Sequence, residues 1–246
     1  MMPNARRCIR LTSVRRKPNI SGRPDADNRL GAAAGFTRLV NKLPENNLIR
    51  HSSLVDLRQR EAANGHRAVV IWFTGLPGSG KSTTAHAVEK QLFNSGCQVY
   101  VLDGDNVRHG LSADLGFSSA DREEHMRRVG ELAKLMYEAG MIVLCAFISP
   151  TRASRARVRK LIPQNGFLEV HCKCPVEVCE KRDPKGFYAR AKAGSITEYT
   201  GVSAPYEEPL QTELVLDTAG KTVGDCAQSV MQLLLARGVI NAGLTS

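Results

Sequence analysis

Long apolar runs are absent. No hydrophobic stretch in the 246 residues approaches the ~20 needed to cross a bilayer, and no secretory leader with an apolar core is evident. A soluble protein without a membrane partner is expected. Paired cysteines are absent as well. The seven thiols (Cys8, Cys97, Cys145, Cys172, Cys174, Cys179, Cys226) are odd in number and lack C-x2-C spacing, which argues against a zinc site or a disulfide framework. They read as reduced core residues of a cytosolic protein, with Cys172 and Cys174 two apart on one strand and facing the same side. Acidic residues are scarce at one end. Residues 1–45 hold ten Lys or Arg against three acids, so this stretch carries most of the net charge of +10 and the remainder is close to balance. Its Gly, Pro and Asn and its lack of apolar period predict a largely disordered basic extension. The acid-poor composition overlaps that of organellar transit peptides, yet serine is scarce, so cytoplasmic residence is expected, with an organelle as the alternative. The guanine-reading Asn-Lys-x-Asp is missing, since Leu43-Pro44 follows Asn41-Lys42, and no internal repeat is evident.

What is present is a phosphate-binding loop. Gly75-Leu76-Pro77-Gly78-Ser79-Gly80-Lys81-Ser82 fits G-x-x-x-x-G-K-[ST] at every fixed position. The bare pattern arises by chance in roughly one chain in a hundred of this length, and its flanks lower that further. Before it stands Val69-Val70-Ile71-Trp72-Phe73-Thr74, an apolar run suited to a buried strand. After it, from Thr83, Ala85, Val88 and Leu92 recur at helical steps. Strand, glycine turn and helix N-terminus make an anion cradle of inward N–H groups backed by the helix dipole. Residues 75–83 are thus the expected ATP site, with Lys81 on the β- and γ-phosphates and Ser82 on Mg²⁺.

From residue 66 the punctuation is regular. Strands are predicted at 69–74, 99–103, 141–148, 167–172 and 213–217, and helices at 82–94, 121–139, 151–162, 175–182 and 222–236. Alternation of this kind implies an α/β fold of the P-loop NTPase type, a doubly wound, mainly parallel sheet with helices on both faces. Ligands bind such sheets at the carboxyl ends of the strands. There the chain places Asp103-Gly104-Asp105-Asn106-Val107-Arg108 after the second strand, Ser149-Pro150-Thr151-Arg152 after the third, and a polar, glycine-containing stretch over about 182–208 after the fourth. That stretch is long enough for a mobile lid. A kinase needs an acceptor pocket, a carboxylate near the acceptor hydroxyl, and cations around the migrating phosphoryl group. Asp103, Asp105, Arg108, Arg122 and Lys185 supply those types.

Several longer motifs extend the case: Leu102-Asp103-Gly104-Asp105-Asn106-Val107-Arg108-His109-Gly110-Leu111, Asp114-Leu115-Gly116-Phe117-Ser118, Ala120-Asp121-Arg122, Arg127-Arg128-Val129-Gly130-Glu131, Ala146-Phe147-Ile148-Ser149-Pro150, Asp183-Pro184-Lys185-Gly186 and Tyr206-Glu207. With the phosphate loop, and in this order, they make the chain resemble the adenylylsulfate kinases over about residues 46–237. The resemblance implies a kinase domain over 46–240, with ATP and Mg²⁺ as cofactors. Its reaction would phosphorylate the 3′-hydroxyl of adenosine 5′-phosphosulfate (APS), giving 3′-phosphoadenylylsulfate and ADP in sulfate activation. It further implies Asp105 at the acceptor hydroxyl and Asp103 on the metal side, with Arg108 and Arg122 on the phosphosulfate. Phe117 and Tyr199 would stack on the acceptor adenine, Lys185 would reach a phosphate, and Ile148 and Ser149 would line the acceptor site.

Ser149 occupies the position the family describes as a phosphoserine intermediate, but no base adjoins it in sequence, and in-line transfer needs none. A positioning hydroxyl is the expectation. The chain departs from the family at His125, where Asn is usual; histidine is bulkier and titrates near neutrality. The resemblance also implies a homodimer and a functional link to ATP sulfurylase. Other readings are a P-loop kinase acting on a sugar acid or nucleoside, a nucleotide-binding regulatory subunit without catalysis, and nucleic-acid binding through the basic extension.

Overall fold

Six consecutive apolar or β-branched residues make β1 (Val69–Thr74), and all six are buried because both faces of this strand are covered. The computed structural model describes Ile49 and residues 51–241. Around β1 stand β2 (Val99–Asp103), β3 (Ile142–Ala146), β4 (Phe167–Lys173) and β5 (Leu214–Asp217), in the spatial order β2-β3-β1-β4-β5. Every pairing is parallel, with Val70 opposite Val143 on one side and Phe167 on the other. Side chains alternate along β1. Val69, Ile71 and Phe73 pack under α2 (Lys81–Asn94) and α8 (Val223–Ala236), through Ala85, Val88, Leu92, Val230 and Leu234. Val70 and Trp72 pack under α4 (Ser119–Glu138) and α5 (Arg152–Leu161), through Met126, Val129, Ala133 and Val158. The doubly wound sheet read from the alternation is the fold observed, and its strand order reverses beside β1.

Local signals set the element ends. Ser118, Thr151 and Thr222 cap α4, α5 and α8 by accepting N–H bonds from Asp121, Ser154 and Asp225. β1 and β2 have the predicted bounds, but β3 is shorter than the 141–148 expected. Phe147 still donates its N–H to Phe73 O, after which the chain turns at Ser149, whose φ of +42° no strand accommodates. β4 ends at Lys173, so Cys174 lies beyond the strand; it packs with Cys179 and Tyr188, while Cys172 joins the α2–α8 core.

Three short helices were not predicted: α1 (Leu57–Asn64), α3 (Gly104–Arg108) and α7 (Phe187–Lys192). Just before α7 lies α6 (Val176–Arg182), at the start of the expected lid. No described helix is long and apolar enough to cross a membrane. One compact unit begins at Ser52. The expectations for residues 1–45 fall outside the described residues.

Candidate active site

The loop between β1 and α2 is shaped by its glycines. Gly75 has φ +152°, and a Cβ there would lie 2.6 Å from Cys172 O; at Gly78, with φ +75°, it would lie 3.0 Å from Cys179 O. Any side chain would push the loop off β4 and α6. Tyr188 from α7 donates to Pro77 O at 2.9 Å, and Thr218 donates to Ser79 O at 2.8 Å, so the loop is braced from both sides. Leu76 packs in the small cluster around Tyr188, and Thr83 lines the cleft.

Lys81 folds over the loop, donating to Leu76 O at 2.7 Å and Gly75 O at 3.1 Å. Burial lowers its ammonium to about 8, partly offset by Asp103 and neighbouring cysteines. The cleft has a volume of about 750 Å³ and reaches from Gly80, Lys81 and Ser82 past Asp103 and Asp105 to Arg182 and Lys185. Arg182, which the sequence reading missed, donates to Thr218 O at 2.7 Å along this wall.

The end of β2 feeds the same cleft. Asp103 caps α3 by accepting from Asp105 N at 3.0 Å, and its other oxygen accepts from Ser82 Oγ at 2.5 Å. A serine hydroxyl and a carboxylate at one point are hard oxygen donors. Magnesium asks for one or two such groups, completed by water and phosphate, so this pair fits it. Among the described residues, no group of three or more His, Cys, Asp or Glu could hold a metal alone. Asp105, two residues on, carries an ion pair with Lys185 across the cleft. Both side chains are more than half exposed, so the pair is weak and readily exchanged for a ligand.

At the end of α3, Arg108 donates to Gly116 O at 2.9 Å and lies 4.5 Å over the Phe117 ring, which is itself largely exposed. Arg122 in α4 donates to Phe117 O at 2.8 Å, to Thr200 Oγ1 at 3.2 Å and to Glu198 O at 2.5 Å. Arg122 therefore draws Phe117 and the segment around Tyr199 to one place. The Tyr199 ring stands edge-on to Tyr188 at 5.2 Å and to Phe187 at 6.4 Å, and is partly buried there.

His125 is buried, with Nδ1 2.9 Å from Ser112 Oγ and its ring edge-on to Phe147. Burial, then Arg108 and Arg128, lowers its pKa to about 4, so it stays neutral where a free histidine would titrate.

Ser149 is only 2% exposed. Its hydroxyl accepts from Trp72 Nε1 at 3.1 Å and donates to Thr74 Oγ1 at 2.9 Å. Thr74 Oγ1 donates in turn to Ile148 O at 2.9 Å and pairs with the Tyr206 hydroxyl at 3.0 Å. This hub turns the Ser149 hydroxyl inward, and Ser149 does not line the phosphate-loop cleft. Trp72, Thr74 and Tyr206 escaped the sequence reading as members of this group, as did Arg155. A usable signal was Glu169, an acid inside the apolar strand Phe167–Cys172, which demands a buried cation opposite it.

The stretch of chain that holds these positions is similar to known proteins. The family described as Adenylylsulphate kinase matches residues 67–217. An adenylyl-sulfate kinase of Acaryochloris marina is 50% identical over 198 residues, covering 80% of this chain and 97% of that protein. One of Geotalea daltonii is 57% identical over 178 residues, covering 72% and 88%. Among solved structures, the Mycobacterium tuberculosis APS kinase in complex with AMPPNP and APS is 48% identical with a TM-score of 0.66, covering 69% of this chain and 98% of that one. A hexameric APS kinase from Thiobacillus denitrificans is 32% identical with a TM-score of 0.55, the match covering 72% of this chain and 31% of that one.

Proposed function

The chain belongs to the adenylylsulphate kinase family, and we propose that it transfers the γ-phosphoryl group of ATP to the 3′-hydroxyl of APS, releasing ADP and 3′-phosphoadenylylsulfate. The observation that carries this reading is the double use of the β2 exit. Asp103 meets the phosphate loop through Ser82, and Asp105, two residues on, pairs with Lys185 across the same cleft, while Arg108 at the end of the following helix lies over Phe117. A carboxylate on the donor loop, a second carboxylate in the cleft and an arginine for the acceptor thus come from one short helix and its cap.

The triphosphate lies on the N–H groups of residues 75–83, with Lys81 leaving the carbonyls of Gly75 and Leu76 for the phosphates. Ser82 and, through water, Asp103 would hold magnesium, which would supply charge neutralisation at the phosphates. The phosphosulfate takes the forked donors of Arg108 and Arg122, a fit that guanidinium geometry makes specific. Phe117 and Tyr199 offer the two faces for the acceptor adenine. Asp105 exchanges Lys185 for the 3′-hydroxyl, orients it and takes its proton as the oxygen bonds to the γ-phosphorus and the bond to the ADP oxygen breaks. Lys185, released, serves the developing phosphate charge. Ser149 stays a positioning hydroxyl, because its one proton is donated to Thr74 and its oxygen is buried beside Trp72.

The test is ADP release with Mg-ATP, comparing APS with AMP, gluconate and no acceptor, and locating the new phosphate by ³¹P NMR. APS-dependent turnover to a 3′-phosphate is expected. Tight ATP binding with no turnover on APS would overturn the assignment, and turnover on gluconate would move the chain to the sugar-acid kinases.

A further inference from the structure

Arg155 is nearly inaccessible, at 3% exposure, and none of the roles above uses it. Its guanidinium divides itself three ways. Nε stands 2.9 Å from Glu169 Oε1, an ionic contact that is not aligned as a hydrogen bond. Nη1 donates to Ser149 O at 2.6 Å, and Nη2 donates to Glu207 O at 2.6 Å. The same group lies 5.7 Å from the centre of the Tyr206 ring. One side chain on α5 therefore grips the turn after β3 and the strand of chain that leaves the lid segment, while anchored to β4.

The two gripped segments are also tied to each other. Glu207 N donates to Pro150 O at 2.8 Å, and the Glu207 carboxylate accepts from Arg152 N at 2.7 Å, the first N–H of α5. Tyr206 reaches Thr74, which bonds both Ile148 O and Ser149 Oγ. Ser149 needs this support. A serine at φ +42° is held in a sparsely populated conformation, which persists only where its surroundings over-determine it.

We propose that Arg155 is a positioning residue for the acceptor. By fixing Ser149 O and Glu207 O at once, it sets the distance between the floor of the acceptor site at Ile148–Ser149 and the root of the lid at Tyr206–Glu207. The lid then pivots from a fixed root and delivers Tyr199 and Thr200 to the same place relative to Phe117 on each closure. This rests on the acceptor-site reading above. The phosphate loop has braces that do not bond Arg155, Tyr188 on Pro77 and Thr218 on Ser79, so loss of the Arg155 clamp acts first on the acceptor.

Arg155→Lys tests this, because lysine keeps the positive charge beside Glu169 but has one donor nitrogen in place of the two that hold Ser149 O and Glu207 O apart. In the full-length protein, the expected result is an APS KM raised tenfold or more, with the Kd of a fluorescent ADP analogue unchanged within twofold. Faster amide exchange at 206–208 should accompany it. Wild-type KM and wild-type exchange in the variant would overturn the proposal, and so would equal losses in acceptor and nucleotide binding.

Should R155K fail to fold, Tyr206→Phe decides. It cuts only the Thr74 link, and it should raise the APS KM severalfold and leave the ADP analogue alone; an unchanged KM would overturn the proposal. If the wild-type chain itself proves inactive on APS, the acceptor reading fails. Amide exchange at 206–208 and at 148–151 in R155K still reports whether the clamp exists.

Discussion

Lys81 is the residue whose charge matters most to the donor, and its burial makes that charge conditional. With its ammonium lowered to about 8, the free protein holds Lys81 charged below that pH and neutral above it. A bound triphosphate favours the charged form, so binding above pH 8 must bring a proton with it. ATP affinity is expected to be flat from pH 6.5 to 7.5 and to fall by up to about tenfold per pH unit above 8. Calorimetry in buffers of different ionisation enthalpy should show proton uptake on binding at pH 8.5 and little at pH 7. His125 has the opposite consequence for stability. Its folded pKa of about 4 lies below the ordinary 6.5, so the unfolded chain binds the proton first. The contribution of neutral His125 is fully present above about pH 6.5 and is lost as pH falls toward 4, on the order of 3 kcal/mol. Denaturant titrations of His125→Asn should lack that part of the acid slope, while its APS KM keeps a wild-type pH profile between 6.5 and 8. Ser149→Ala separates a hydroxyl that positions from one that carries phosphate. The variant leaves Trp72 and Thr74 short of a partner, costing about 1–3 kcal/mol of stability by thermal melt. It should still turn over, and intact-mass spectra of the wild type with ATP alone should show no added phosphate.

At the scale of elements, legibility followed the source of each element's stability. β1, β2 and the long helices α2, α4 and α8 bury apolar faces, and a buried face writes its period into the sequence, so they were found almost to the residue. The elements that were missed are held by other means. α3 is five residues started by the Asp103 cap, and α7 is six residues inside a polar segment, docked through Tyr188. The Arg155 hub was illegible for a related reason. Its members come from β1, the β3 exit, α5, β4 and the lid root, far apart in the chain, and arginine on a helix ordinarily reads as surface. By contrast, the phosphate loop and the Asp103–Arg108 run are local, so their spacing alone announced them. α1 shows the limit most plainly: it has no fully buried residue, a capping box between Asp56 and Gln59 closes its start, and it meets the domain through Leu57 and single bonds such as Asn64 Nδ2 to Gly140 O. A short helix without a buried face depends on its ends. Asp56→Ala, worth about 1 kcal/mol at a typical cap, should speed amide exchange across 57–64 while turnover stays within twofold. Loss of turnover would mean that α1 supports the active site directly.

For the whole molecule, charge and chemistry separate along the chain. Most of the net +10 belongs to residues 1–45, whereas every side chain assigned to donor, acceptor or lid lies between Gly75 and Glu207, inside the unit that begins at Ser52. That unit has a two-faced core of its own, with α2 and α8 on one side of the sheet and α4 and α5 on the other. Relatives about half identical match this chain over nearly their own full length, and the family model matches residues 67–217, outside the basic stretch. Two properties should therefore part when those residues are removed. A chain starting at residue 46 is expected to keep kcat and the APS KM within twofold of the full chain. Retention on a polyanion column should drop at the same time, because binding of this kind is driven by counterion release and scales with the number of cations engaged. If turnover falls instead while the truncated domain still melts cooperatively, the basic stretch takes part in catalysis. If salt-sensitive retention survives truncation, the cations responsible lie on the kinase domain, with the arginines of α4 and α5 the first to replace.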